Sequence, residues 1–84
     1  MYYVYILRWK RNNQFYIGYT DNLQQRVKQH KRVGDFDLIY YEAYYFEKLA
    51  RQRERKLKYY GSAWRALKKR IEQSETPPPK PVKS

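Results

Sequence analysis

The segment Tyr2–Trp9 constrains the fold more than any other part of the chain, because both of its alternating faces are apolar. Successive side chains of a β-strand point to opposite sides of the sheet. The two faces of this segment would carry Tyr3, Tyr5, Leu7 and Trp9 on one side, and Tyr2, Val4 and Ile6 on the other. A strand with one face in water has polar residues at every second position. We therefore expect Tyr2–Trp9 to be a strand that is covered on both sides.

A second apolar run follows a short polar connection, and together they predict an antiparallel hairpin. The connection Lys10–Gln14 contains Asn12 and Asn13, and asparagine tolerates the left-handed backbone conformation of tight turns. The segment Phe15–Thr20 then returns as the second strand. Its two faces would carry Phe15, Ile17 and Tyr19 on one side, and Tyr16, Gly18 and Thr20 on the other.

The rest of the chain predicts three helices and one further strand. Thr20 or Asp21 can cap a first helix that runs to about Arg32. The later elements are a strand over Leu38–Tyr45, a helix over Phe46–Tyr60 that Gly61 ends, and a helix that Ser62 caps and that ends near Gln73. The order β-β-α-β-α-α predicts an α+β fold, in which a three-stranded antiparallel sheet is flanked by three helices.

Length and composition predict one small domain in a reducing compartment. The chain has 84 residues, and we expect the domain to span residues 1–73. Residues 74–84 contain all 4 prolines and are expected to form a disordered tail. The absence of cysteine excludes disulfides and thiolate metal sites and fits a cytoplasmic protein. No apolar run approaches the roughly 20 residues of a membrane span.

The charge balance indicates a polyanionic partner. Lysine and arginine number 19 against 8 acidic residues, which gives a net charge of +11 at pH 7. Such a surface favours nucleic acid over an anionic membrane. An aromatic content of 19% nevertheless provides material for a core. We expect a folded domain that binds phosphates and whose affinity falls steeply as salt rises.

Glu54 is the most informative residue of the predicted second helix, because cationic side chains surround it and it borders the apolar stripe. It could bind a divalent cation such as Mg²⁺, which proteins often hold through one or two carboxylates. It could equally form a salt bridge on its own helix, to Arg51 or Lys58. Arg51, Arg55 and Lys58 in turn form either a stripe that tracks phosphates or a solvated helix face.

Two tyrosines and a glycine of the hairpin form a second candidate group. Tyr5 and Tyr16 can meet on one face if the strand register allows it, although both could simply pack in the sheet. Gly18 lies on the face of Tyr16, where a bare patch would let a phosphate approach the backbone. A phenol has a pKa near 10, so a tyrosine that acts as a base needs a nearby cation.

The first helix supplies the other candidates, Arg26 and His30, which lie one turn apart. Arg26 could clamp a phosphate through its planar guanidinium, or it could be a solvated helix residue. His30 is the only histidine. It could act as a general acid or base, hydrogen-bond a tyrosine hydroxyl, or cap the end of the helix.

These residues, in this order, resemble the GIY-YIG nuclease superfamily. Tyr3-Val4-Tyr5 is similar to the first motif, with tyrosine in place of the usual glycine, and Tyr16-Ile17-Gly18 matches the second. Asn22-Leu23, Arg26 and Glu54 match the next conserved positions of the family pattern. The resemblance covers roughly residues 1–71 and is greatest to small stand-alone members of the YhbQ-like group.

The resemblance implies hydrolysis of one DNA strand with a single divalent cation, Mg²⁺ or Mn²⁺. It implies that Glu54 binds the metal and Arg26 stabilises the pentavalent transition state. Tyr16 would help to activate water, and Tyr5 would position water or phosphate, with His30 as a further catalytic residue. Apart from the resemblance, the residues that we predict to contact nucleic acid are Gly18, Tyr19, Arg51, Arg55 and Lys58. The resemblance also implies a cytoplasmic enzyme with a place in DNA repair.

This chain departs from the family pattern at two points. Tyr19 stands where some members have a lysine near the attacking water, and Lys31–Asp37 is shorter than the basic loop of close relatives. The resemblance is to members without an added DNA-binding domain, which implies weak specificity. Two alternatives to a nuclease remain open: a non-catalytic binder of DNA or RNA with a tyrosine-rich stacking surface, and an interaction module without strong affinity for nucleic acid.

Overall fold

A computed structural model describes residues 1–75 of the chain and contains three strands and three helices within them. The elements are β1 Tyr2–Trp9, β2 Phe15–Thr20, α1 Leu23–Lys31, β3 Phe36–Tyr44, α2 Glu47–Tyr59 and α3 Gly61–Glu75. The predicted order β-β-α-β-α-α and the α+β fold class are therefore confirmed. No helix within residues 1–75 is both long enough and apolar enough to cross a membrane.

The strand that is apolar on both faces lies at the centre of the sheet. The order of the strands is β2-β1-β3, and β1 pairs antiparallel with both neighbours. Val4, Tyr5, Ile6 and Leu7 are at most 1% exposed, so both faces of β1 are buried as the sequence predicts. The connection before β2 contains Asn13 with a φ of 59°, the left-handed conformation expected of an asparagine turn.

The main core lies between one face of the sheet and the helices α2 and α3. Val4 and Ile6 of β1 pack there against helix residues that recur at helical spacing: Ala50 and Leu57 of α2, and Leu67 and Ile71 of α3. Ile17 and Tyr19 of β2 pack against the same core. Since side chains alternate along a strand, Tyr5 and Tyr16 belong to the opposite face of the sheet, where α1 lies.

Several predicted boundaries are wrong by one or two residues. Asn22 caps α1, because its side chain accepts a hydrogen bond from the Gln25 amide, so neither Thr20 nor Asp21 is the cap. The α2 helix ends at an extended residue, Tyr60, and Gly61 opens α3 instead of closing α2. The α3 helix continues to Glu75, and residues 76–84 of the predicted tail lie outside the described residues.

The predicted start of β3 at Leu38 is also wrong, since the strand begins at Phe36 and ends at Tyr44. A bulge interrupts its pairing with β1, because Ile6 pairs with Tyr40 whereas Leu7 pairs with Leu38. The extra residue breaks the alternation of side chains, so that consecutive residues, Ile39 and Tyr40, both pack against the core. A pattern search with period two therefore misses the first part of this strand.

A partly buried ionic cluster joins β3 to α2 on the core side of the sheet. The Arg53 guanidinium donates two hydrogen bonds to the Glu42 carboxylate, from Nε at 3.0 Å and from Nη2 at 3.1 Å. The hydroxyls of Tyr40 and Tyr44 donate to the same carboxylate at 2.6 Å. Burial acts to raise the pKa of Glu42, but these four hydrogen bonds outweigh it and hold the pKa below its ordinary value. Burial and the nearby carboxylate raise the pKa of Tyr44 to about 12.

Replacing Glu42 with glutamine is expected to lower the free energy of unfolding at pH 7 by about 1–3 kcal/mol, because the guanidinium of Arg53 loses a charged acceptor. The pKa of Glu42 is lower in the folded than in the unfolded protein. Its stabilisation is therefore complete above the unfolded pKa and is lost as the pH falls through the folded pKa. Urea unfolding of wild type and Glu42→Gln should show a difference in stability that begins to shrink as the pH falls below the ordinary pKa of glutamate, about 4.3, and is lost below the folded pKa. A constant difference down to acid pH would contradict this role.

Candidate active site

Three aromatic side chains from three elements meet on the α1 face of the sheet. The Tyr5 hydroxyl of β1 lies 2.9 Å from Nε2 of His30 on α1, and the direction of this hydrogen bond depends on the histidine tautomer. Tyr16 of β2 completes the group, with its ring centroid 6.2 Å from that of Tyr5 and 5.1 Å from that of His30. The predicted meeting of Tyr5 and Tyr16 is confirmed, and so is the hydrogen bond between His30 and a tyrosine.

The strand register explains how these two tyrosines meet. Tyr5 pairs with Gly18, and Tyr16 pairs with Leu7 of the same face. A Cβ atom on Gly18 would overlap the ring and the hydroxyl of Tyr5, so the Tyr5 ring lies across the glycine. The bare patch predicted beside Gly18 is therefore absent, because Tyr5 fills that space. The glycine of the second motif makes room for the tyrosine of the first.

Gly18→Ala is expected to lower the free energy of unfolding by about 1–3 kcal/mol, the usual cost of an extra methyl group in a tightly packed core. Tyr5 is fully buried, so its ring has no solvent-facing position to move to. Gly61→Ala is a matched control, because an added Cβ there meets only the flexible end of Arg65 at 3.4 Å. Denaturant unfolding of both variants measures the difference. Equal stabilities would show that the close approach at Gly18 is not required.

The protonation states of the group follow from burial and from Arg26. Burial and the neighbouring Tyr16 raise the pKa of Tyr5 well above 10.0, although the Arg26 guanidinium acts on the same hydroxyl in the opposite direction. Burial and the positive charge of Arg26 both lower the pKa of His30 below 6.5. At neutral pH Tyr5 is therefore a protonated phenol and His30 a neutral imidazole. Arg26 is only partly exposed and supplies the positive charge of the site.

Two residues of the site were not predicted from the sequence, Trp9 and Phe36. The His30 ring lies edge-on to both of them, at centroid distances of 6.0 Å and 6.2 Å. Together with the two tyrosines they surround the imidazole with four aromatic rings. Trp9 shares a strand face with Tyr5 in the predicted pattern, which was a usable signal. No sequence signal identified Phe36. It pairs with Trp9 in the first part of β3, where the bulge breaks the alternating pattern of the strand.

Glu54 comes from α2, which packs on the opposite face of the sheet from Tyr5, Tyr16 and His30. Around the helix axis Glu54 lies about 40° from the buried Ala50, on the same side as Glu47 and Arg51. Those two residues contact Tyr19 of the edge strand β2: the Tyr19 hydroxyl donates to Glu47 at 2.8 Å, and the Arg51 guanidinium lies 4.5 Å from the ring centre. Glu54 therefore lies on the flank of α2 that faces β2.

The position of Glu54 along β2 follows from contacts at the two ends of α2. The start of α2 contacts Tyr19, near the end of β2. Phe15, at the beginning of β2, packs against Trp64 just after α2, with ring centroids 5.3 Å apart. Trp64 belongs to the start of α3, and from these contacts we infer that α2 runs antiparallel to β2 with Glu54 opposite the middle of that strand. The middle of β2 is where Tyr16 and Gly18 turn towards the other face.

The contacts of Glu54 itself include the predicted salt bridge on its own helix. Its Oε2 lies 3.1 Å from Nζ of Lys58, and the side chain is 23% exposed. Arg51 pairs with Glu47 instead, at 3.0 Å. Arg55 is exposed and has no ion pair among residues 1–75. The predicted stripe of Arg51, Arg55 and Lys58 is thus partly neutralised by acidic neighbours.

Within the described residues, Glu54 is the carboxylate we consider as a ligand for a divalent cation. Within residues 1–75 no three histidine, cysteine, aspartate or glutamate side chains form a group that could hold a metal ion. A cage made entirely of protein ligands is therefore absent from the described part of the chain. A partly buried carboxylate at a strand edge nevertheless suits Mg²⁺, which usually keeps several waters and shares phosphate ligands with its substrate.

The fold and the motif residues define the class of this protein. The family described as the GIY-YIG catalytic domain matches residues 1–58, which include both tyrosine motifs, Arg26, His30 and Glu54. The chain belongs to the GIY-YIG family, a family of nucleases. Nucleases of this kind generally use a divalent metal ion and act on nucleic acid.

A solved structure is similar to this chain over most of its length. The chain is similar to the UPF0213 protein BH0048 from Bacillus halodurans, determined in solution by NMR, with a TM-score of 0.58 and 27% sequence identity. The similarity covers 93% of this chain and 89% of that chain. A search of curated proteins found no match. The name of that protein states no activity.

Proposed function

We propose that this protein is a divalent-metal-dependent endonuclease that hydrolyses phosphodiester bonds in DNA with little sequence specificity. The observation that carries the proposal is the cluster of Tyr5, Tyr16, Arg26 and His30 beside the strand edge that Glu54 faces. Family membership supports the reaction class, and a net charge of +11 supports a polyanionic substrate. We take residues 1–73 as one catalytic module, and a cytoplasmic role in DNA repair remains a prediction.

Arg26 would act on the scissile phosphate. When water attacks the phosphorus, a P–O bond forms as another breaks, and negative charge grows on the phosphoryl oxygens. A guanidinium that is already held in place can neutralise that charge without reorganising. Its proximity to Tyr5 and His30 supports this role, because its positive charge acts on both side chains and so lies at the aromatic cluster.

Tyr16, His30 and Tyr5 would have different roles in placing and deprotonating the attacking water. Tyr16 is 37% exposed and is the tyrosine of the cluster that reaches solvent, so we assign it contact with the attacking water. His30 is neutral at pH 7 and can accept a proton. Tyr5 is fully buried and protonated, so we assign it a positioning role. It would hold His30 through its hydroxyl and support the ring of Tyr16.

Glu54 would hold the divalent cation, which supplies charge neutralisation at the phosphate when bound. Lys58 occupies the carboxylate through an ion pair across 3.1 Å, and an ion would have to displace it. The pair is about a quarter to two-fifths exposed, so breaking it costs little.

A cleavage assay tests the proposal. Branched, nicked and single-stranded DNA should each give product with Mg²⁺ or Mn²⁺, and none should be cut when EDTA is present. A non-catalytic binder is the alternative that the Glu54–Lys58 ion pair favours, since that pair leaves the carboxylate satisfied without a metal. Such a protein would retain DNA in a gel shift and yield no metal-dependent product. The absence of product on every substrate, with binding intact, would therefore reject the nuclease in favour of the binder.

A further inference from the structure

The outer side of α2 carries a continuous polar groove that the proposed catalytic residues do not use. One depression of about 320 Å³ is lined by Lys48 and Arg51 with their neighbours, and a second of about 270 Å³ by Lys56 and Tyr60. Gln52 and Arg55 line both depressions, which therefore join. We call this feature the α2 outer groove; its lining is Glu47, Lys48, Arg51, Gln52, Arg55, Lys56 and Tyr60.

The cations of this groove are available for a ligand. Lys48, Arg55 and Lys56 are all exposed and have no acidic partner among residues 1–75. By contrast, Arg53, on the buried side of α2, is held by Glu42. Three uncompensated positive charges along one helix face attract an anion with repeated charges, such as a phosphate backbone.

Exposed tyrosines mark the end of the groove. Tyr59 is 75% exposed and Tyr60 is 60% exposed, although each ring could bury a large apolar surface. Tyr60 ends α2 in an extended conformation and lines the second depression beside Arg55 and Lys56. Aromatic rings next to a cationic track are the arrangement by which proteins bind unpaired bases, because every base has a face that can stack. Bases inside a duplex are not accessible in this way.

The α2 outer groove opens away from Tyr5, Tyr16 and His30, and only Glu47 and Arg51 of its lining border the flank of α2 that carries Glu54. Ala50 and Leu57 turn the inner face of α2 to the sheet, and Tyr5, Tyr16 and His30 lie beyond the sheet. A strand in the α2 outer groove is therefore not the strand whose phosphate meets Arg26. We propose that this groove is a second nucleic-acid-binding surface, which takes single-stranded DNA with phosphates on Arg55 and Lys56 and bases on the tyrosine rings.

Binding without catalysis tests the inference and separates it from the proposed nuclease activity. Fluorescence anisotropy with a labelled oligothymidine, in EDTA and at about 50–200 mM salt, measures affinity and its salt slope. The double variant Arg55→Gln, Lys56→Gln should bind about tenfold more weakly, with a slope reduced by about 1.4, since single strands give about 0.7 per neutralised phosphate. The control Lys28→Gln, Lys69→Gln removes the same charge from exposed positions on α1 and α3. An equal loss of slope in the control would overturn the proposal, because the charge would then act only as a general field.

A second pair of measurements tests the stacking component. The double variant Tyr59→Leu, Tyr60→Leu keeps apolar surface and removes the aromatic faces. Circular dichroism is used to check that the variant folds. It should bind the single strand about tenfold more weakly and bind a blunt duplex as the wild type does. Unchanged affinity for the single strand, or equal losses for both ligands, would overturn base stacking in this groove.

Discussion

Replacing Arg26 with glutamine is expected to slow DNA cleavage about a thousandfold and to change DNA affinity by only severalfold. An arginine that meets the phosphoryl group mainly in the transition state contributes to the rate of the chemical step more than to binding. Losses of about 10³–10⁵ accompany removal of such arginines in phosphoryl transfer. Single-turnover cleavage at saturating protein isolates the chemical step, and anisotropy in EDTA gives the affinity.

Two further variants show whether the effect belongs to the guanidinium of Arg26. Lys28→Gln removes a charge from an exposed position of the same helix and should leave the single-turnover rate within about twofold. Arg26→Lys keeps the charge but loses the planar fork, so it should recover only part of the rate. A normal rate in Arg26→Gln would show that the charge close to Tyr5 and His30 serves the fold and not the reaction.

Replacing Glu54 with glutamine is expected to reduce metal-dependent cleavage about a hundredfold to a thousandfold, because a neutral amide is a poor ligand for Mg²⁺. The same substitution should abolish any rise in melting temperature that Mn²⁺ gives the wild-type protein, since an ion that binds only the folded state stabilises it. The melting curve is independent of turnover. The melting temperature therefore distinguishes a variant that no longer binds the ion from one that binds it but no longer cleaves DNA.

Glu47 offers a matched control for Glu54 on the same flank of α2. It is an exposed glutamate about two turns earlier, it contacts Tyr19 and Arg51, and it faces the same strand. Glu47→Gln should preserve both the rate and the Mn²⁺ effect, apart from the small cost of an exposed ion pair. Wild-type cleavage in Glu54→Gln would remove the carboxylate from the mechanism. Equal losses in both variants would point to the acidity of the flank as a whole.

The hairpin and the order of elements were predictable because local patterns determine them. The bounds of Tyr2–Trp9 and Phe15–Thr20 agree with the structure, since strand alternation and a turn at Asn13 leave little choice of register. The two apolar faces of β1 correctly indicated a covered strand. The motif residues Tyr5, Tyr16 and His30 could be expected to meet, because the hairpin and the following helix bring them to one face.

Features that depend on contacts between distant segments were not predictable. The bulge at Ile39 moved the start of β3 and hid Phe36, and the clamp between Glu42 and Arg53 links residues that no local spacing relates. The role of Gly18 was misread for the same reason, because its occupant comes from another strand. The catalytic roles of the five proposed site residues stay predictions, and the assays above decide them.

The polar contacts on the two flanks of α2 limit how this helix can move against the sheet. Arg53 fastens one side of the helix to Glu42 of β3, and Glu47 fastens the other side to Tyr19 of β2. Contacts on both flanks restrict the rotation of α2 about its own axis. They therefore fix the direction in which Glu54 points relative to the edge of the sheet. Loss of either contact would let the Glu54 carboxylate change its direction, so a substitution at the opposite edge of the sheet would also weaken the metal binding that we propose for Glu54.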